Sequence, residues 1–145
     1  MNSKTISIAG YLMAVTGLLI MIYSGWILSV NPPAIIIQIV SVLFMVWARV
    51  TFGRRSFHAV ATTTRGELVT TGPYRWLRHP IYASVIWFSW ACLIPFHKPA
   101  TLGAVLLITA GLVIRMVTEE KELRRTYPEY SSYCTKTKRI IPFIF

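Results

Sequence analysis

Two short blocks carry nearly all the side chains of this chain that could do chemistry. The first, Thr71 to Ser84, reads TGPYRWLRHPIYAS and sets Tyr74, Arg78, His79 and Tyr82 among prolines at the mouth of an apolar segment. The second is Glu119-Glu120, with Arg124 one turn further on, at the foot of the last apolar segment. Polar groups at the edge of lipid are costly to keep unless something uses them. Aromatic rings, an arginine, a histidine and a carboxylate could together hold a ligand with a purine-like ring, a sugar and an amino-acid end. The rings would stack on the base, and the carboxylate would accept a hydroxyl or ammonium proton.

A purely structural reading fits the same spacing, and spacing alone slightly favours it. Glu120 and Arg124 stand four apart and could be an exposed helix pair. Arg75 and Arg78 could hold lipid phosphates, with Trp76 as an interfacial anchor. Absences narrow the chemistry. The five acids are all glutamates, Glu67, Glu119, Glu120, Glu122 and Glu129. There is no dinucleotide or phosphate-binding glycine loop, no His-Glu-x-x-His and no Gly-x-Ser-x-Gly, which counts against a Rossmann nucleotide fold, a P-loop, a zinc hydrolase and a serine hydrolase. Cys92 and Cys134 lack metal-ligand spacing, so no metal is expected, and their placement makes a disulfide between them unexpected.

The elements that must position these blocks are apolar helices. The chain has 145 residues, 54% of them hydrophobic, with a mean hydropathy of +0.56, beyond an ordinary soluble domain. Four apolar segments, 6–30, 33–50, 81–96 and 100–117, predict an all-α integral membrane bundle of four transmembrane helices in two antiparallel hairpins. The helices are expected at about 5–29, 33–51, 80–96 and 100–125, in one membrane domain. A span takes about 20 residues, so the third segment must borrow from its neighbours or be sheltered. All fifteen Lys and Arg residues except Lys98 fall at one end of such a bundle. The positive-inside bias then places both termini, the short terminal helices and the two blocks on the cytoplasmic face. The net charge of +10 hugs helix ends, so it fits anionic lipid headgroups and not nucleic acid. Oligomeric state is left open.

In chain order, the first helix is featureless apart from Tyr11, Tyr23 and Trp26. Gln38 and Ser41 are expected to bond between helices. The second helix could run on through Gly53-Arg54-Arg55 as an amphipathic surface stretch, with His58 as a surface residue of no assigned role. Residues 61–72 read as an ordered polar loop. Pro73 starts a short helix and His79-Pro80 ends it. The apolar tail after Arg139 could lie on the membrane or close over a site.

The block Gly72-Pro73-Tyr74-Arg75-x-x-Arg78-His79-Pro80-x-Tyr82 resembles the signature of the isoprenylcysteine carboxyl methyltransferase and phospholipid methyltransferase superfamily. Glu119-Glu120-x-x-Leu123, Tyr127-Pro128-x-Tyr130-x-x-Tyr133 and Arg139-x-Ile141-Pro142 are similar to its C-terminal signature. The resemblance covers residues 54–145, the expected cofactor-binding half. It implies S-adenosylmethionine as cofactor, leaving as S-adenosylhomocysteine, and a lipophilic acceptor drawn from the membrane lipids. By this resemblance Tyr74, His79, Pro80, Tyr82, Glu119 and Glu120 line the cofactor site, and Arg78, Glu120 and Arg124 do the catalytic work, with Arg124 or Arg139 addressing an acidic acceptor. Ser84 stands where the family commonly has glycine. Two other readings stay open: a membrane reductase of the sterol reductase type, using NADPH, whose extra phosphate Arg65, Arg75 and Arg78 could meet, and a small non-enzymatic membrane scaffold.

Overall fold

The computed structural model describes residues 3–28, 30–53 and 68–141. Among these residues five α-helices follow one another: α1 (Ser3–Tyr23), α2 (Pro32–Phe52), α3 (Pro80–Ala91), α4 (Pro99–Thr126) and α5 (Tyr130–Lys136). A 3-10 turn, Gly72–Arg75, precedes α3. Among the described residues there is no strand, only a parallel bridge between Leu77 and Lys138. The expectations for Arg54-Arg55, His58, most of the polar loop and the last four residues of the tail lie outside the described residues.

α1, α2 and α4, of 21, 21 and 28 residues, are long and apolar enough to cross a membrane. Their large side chains, among them Leu12, Leu19, Ile36 and Leu43, are exposed, as a lipid-facing surface requires. α3 has only 12 residues. The helix expected to run to residue 96 instead tightens after Ala91: the amides of Cys92, Leu93 and Ile94 each reach back three residues, to Ser89, Trp90 and Ala91. Pro95 then disfavours a helical residue before it. Among the described residues, three helices and not the expected four are therefore long enough to span by themselves.

The first helix also ends earlier than its apolar run. Gly25 adopts φ +70°, Trp26 N–H donates to Met21 and Gly25 N–H to Ile22. These two bonds and the left-handed glycine make a Schellman cap, so Ser24-Gly25 stops the helix at Tyr23. α2 starts at Pro32, with Asn31 accepting from Ala34 N–H at 3.4 Å.

The closest packing joins α1 to α4 and α2 to α3, and α3 runs antiparallel to α4, with Tyr82 meeting Glu119 and Trp90 meeting Thr109. Small residues let α1 approach α4. A β-carbon on Gly10 would lie 2.7 Å from the Gly111 carbonyl, and one on Gly17 2.8 Å from that of Ala104. Interfaces in lipid favour such close backbone contact. Met21, Ile86, Val105, Ile108, Leu112 and Met116 form the shared core. On the other side Phe44 stacks on Trp87 at 5.3 Å and Trp47 meets Trp76 edge-on at 5.8 Å. Gln38 does bond between segments, donating to Ile27 O at 2.7 Å and Cys92 Sγ at 3.3 Å. Ser41 does not: its hydroxyl turns back to Ile37 O at 2.7 Å within α2. Both cysteines are free.

Candidate functional site

The antiparallel course of α3 and α4 brings the first turn of α3 against the last turns of α4. The charged run Thr118–Arg125 carries those turns beyond the apolar part of α4, which ends at Val117. Gly72 holds the entrance from the other side. Its φ is +57°, and a β-carbon there would sit 2.6 Å from Thr51 Oγ1 on α2. Only glycine meets both demands. The 3-10 turn that follows buries Tyr74, whose ring lies 5.4 Å from Phe52.

His79 and Glu120 face each other. His79 Nε2 stands 3.4 Å from Glu120 Oε1, with the side chains only 4% and 5% exposed. The other ring nitrogen, Nδ1, is 3.9 Å from Glu119 Oε2. The Tyr82 ring, one turn along α3, stacks on the His79 ring at 5.5 Å and 6° between planes. Its hydroxyl donates to Glu119 Oε2 at 2.9 Å. Two helices thus present one aromatic stack against two neighbouring carboxylates.

The two glutamates differ in what they have left to offer. Glu120 is saturated. Arg139 grips it with Nε and Nη2, each at 3.1 Å, and Arg78 Nε lies 3.1 Å from Oε1. Burial by itself pushes the Glu120 carboxyl up. The neighbouring His79 ring, the hydrogen bonds from Arg139 and the charge of Arg78 outweigh it and hold the group down at about 2. The same bonds push the Arg139 guanidinium up. Glu119, 29% exposed, keeps an open side.

The chain's tail delivers Arg139 and braces Arg78. Arg78 N–H donates to Lys138 O at 2.7 Å, His79 N–H to Arg139 O at 3.1 Å, and Lys138 N–H to Trp76 O at 3.0 Å. Residues 138–139 are thereby strapped along the first block. Arg78 Nη1 donates to the carbonyls of Cys134 and Thr137 at 3.0 and 3.1 Å, satisfying the end of α5. Tyr133 donates to Tyr74 O at 2.6 Å. Arg124 points elsewhere. It is exposed, over the Tyr130 ring at 5.7 Å and 3.7 Å from Cys134 Sγ, and does not join Glu119 and Glu120. Pro80 is buried at the start of α3, and Ser84 turns its hydroxyl back to Pro80 O at 2.8 Å. A groove of about 680 Å³ is lined by Arg75, Tyr133, Lys136 and Thr137 among others. It includes none of His79, Tyr82, Glu119 and Glu120.

The sequence reading missed two features here. One is the pairing of Arg139 with Glu120, which depends on the tail bridge and has no local signal. The other is Arg115 with Tyr11. Arg115 Nε donates to the Tyr82 hydroxyl at 3.2 Å, and its guanidinium lies over the Tyr11 and Tyr82 rings at 5.3 and 5.8 Å. Its spacing of four from Glu119 was the available clue.

Residues 34–125 match the model of the isoprenylcysteine carboxyl methyltransferase family. Among curated proteins, the chain is 35% identical over 78 residues to the nickel-cobalt-cadmium resistance protein NccN of Alcaligenes xylosoxydans xylosoxydans. That match takes in 52% of this chain and 36% of the relative, so the chain spans well under half of its length. No solved structure matches.

Proposed function

The chain belongs to the isoprenylcysteine carboxyl methyltransferase family, and we propose that it moves a methyl group from S-adenosylmethionine to a lipophilic acceptor held in the membrane. The carrying observation is the aromatic stack of His79 and Tyr82 set against Glu119 across the α3–α4 junction. Three membrane-length helices support an integral membrane protein. The placement of Lys98 at one end and the remaining basic residues at the other supports a site on the cytoplasmic face, with both termini there.

The residues present suit the cofactor. A half-open carboxylate and two ring faces are what its ammonium, ribose hydroxyls and sulfonium call for. Glu119, Tyr82 and His79 would hold it, with Tyr74 and Pro80 packed behind them. When bound, S-adenosylmethionine supplies an activated methyl group whose departure needs no acid. Glu120 has the complementary task of fixing His79, Arg78 and Arg139 in place. A carboxylate acceptor carries its own lone pair, so the protein needs only to position it and exclude water. We favour that acceptor class. An amine acceptor would instead call on Glu119 or His79 as base.

Titrating the purified chain with S-adenosylhomocysteine by calorimetry tests the reading. Binding that Glu119→Ala and His79→Ala each abolish supports it. No binding, with thermal protection by NADPH, would replace it with the reductase. Label transferred from the cofactor to membrane lipid and released by mild base would identify an ester.

A further inference from the structure

Arg115 is a cation inside the bundle that the reading above does not use. It is 4% exposed, on the helix turn before Glu119, between α1 and α3. A charged side chain there is expensive and faces the bundle interior for a reason. An arginine that only covered the membrane surface would extend its head outward to water. Arg115 does the opposite: its guanidinium sits between the rings of Tyr11 and Tyr82, at 5.3 and 5.8 Å, with Nε turned to the Tyr82 hydroxyl at 3.2 Å.

That contact fixes the direction of a proton. Arginine has donors and no acceptor, whereas a phenol has one proton and can also accept. The Tyr82 hydroxyl must therefore accept from Arg115, which leaves its single proton for Glu119 Oε2, 2.9 Å away. We propose that Arg115 is a positioning residue for the methyl-transfer site, locking Tyr82 so that its hydroxyl donates to Glu119 and its ring stays stacked on His79.

Three consequences follow from the geometry. Through the phenol the Arg115 cation is linked to Glu119, one turn along the same face of α4. Glu119 is held with one oxygen on Tyr82 and its other side open. Tyr11 brings α1 into the support of a site otherwise made by α3, α4, the tail and the end of α2. Arg115 acts through Tyr82 and Glu119 and touches no reactant, so its removal should loosen the site without emptying it.

This inference rests on the methyl-transfer reading for its consequence, but the placement of Arg115 can be tested apart from it. In chain labelled with ¹⁵N-arginine and held in detergent micelles, the Arg115 Nε–H resonance is identified by its loss in Arg115→Lys. It is expected to resist solvent exchange, and in Tyr82→Phe to shift and exchange faster. An unmoved resonance in Tyr82→Phe would overturn the proposal. In the second arm, Arg115→Gln and Tyr82→Phe each weaken S-adenosylhomocysteine binding about tenfold. The double variant binds no worse than Tyr82→Phe alone, because one residue acts through the other. Losses that multiply in the double variant would mark Arg115 as a merely structural residue and overturn the proposal. If the unmodified chain took up no S-adenosylhomocysteine, the methyl-transfer reading would fall while the resonance arm still decided the placement of Arg115.

Discussion

Arg139 holds Glu120 in a two-pronged ion pair, Nε on Oε1 and Nη2 on Oε2, both at 3.1 Å. Planar guanidinium and carboxylate match best in this geometry. The pair closes a loop from α4 through α5 to the strapped tail, and Arg78 and His79 complete it from the first block. Glu120 is therefore the point at which three separate segments meet, α4, the tail and the first block.

Removing that carboxylate should cost far more than removing any one cation. Glu120→Ala leaves the Arg78 guanidinium without its buried anion, a loss of about 3 kcal/mol for a broken buried pair. Arg139→Ala should cost about 1 kcal/mol, because its side chain is 32% exposed and exposed pairs are worth little. Thermal unfolding in detergent micelles would show the order Glu120→Ala well below Arg139→Ala, with both below the unmodified chain.

Acid should remove the same contribution. The Glu120 carboxyl is lowered from 4.5 to about 2, so the folded state binds its proton less readily than the unfolded state. Its contribution is complete above about pH 4.5 and is lost as pH falls from there through about 2. Stability measured against pH should therefore converge for the unmodified chain and Glu120→Gln across that window, and differ by a constant amount above it.

Gly72 offers a test of the entrance geometry. Gly72→Ala meets Thr51 Oγ1 at 2.6 Å and holds φ at +57°, a region that costs a residue with a β-carbon about 1–2 kcal/mol. Melting should drop accordingly. Adding Thr51→Ala should recover the part due to collision and leave the backbone part, so the double variant melts between Gly72→Ala and the unmodified chain.

The α1–α4 contact predicts a contrast between glycines. Gly10→Leu forces a side chain into the Gly111 carbonyl and should separate the helices, read as lost melting cooperativity and faster proteolysis. Gly103, in α4 with nothing within 4 Å of a new β-carbon, should accept alanine and gain up to about 1 kcal/mol from helix propensity.

Much of the site could be read from the chain because its residues are grouped by local spacing. His79-Pro80 marked a helix start, and Glu119-Glu120 marked the end of another. A short connection made the two helices antiparallel, so His79 and Glu120 could be placed on facing turns. What could not be read depends on contacts between distant segments. The tail bridge at Leu77 and Lys138 turns Arg139 inward, whereas a run of basic residues alone suggests contact with lipid. Arg124 drew attention by its helical spacing from Glu120, yet the α5 helix captures it through Tyr130 and Cys134. Hydropathy extended α1 to residue 29 because the apolar run continues, while Gly25 caps the backbone regardless of side-chain polarity.

The brevity of α3 bears on the bilayer around the protein. Twelve residues make about 18 Å of helix, against a hydrocarbon core of about 30 Å. Trp90 near its end meets Thr109, ten residues into α4, so α3 lines only the half of α4 nearest the glutamates. Beyond Ala91 the chain goes on as the turns of residues 92–98, so lipid beside α3 would meet regular helix only along its polar half, and a short helix of that kind favours a thinner bilayer. A tethered greasy molecule sliding along that flank would reach the polar end of α3 by a shortened path, without first leaving the oil.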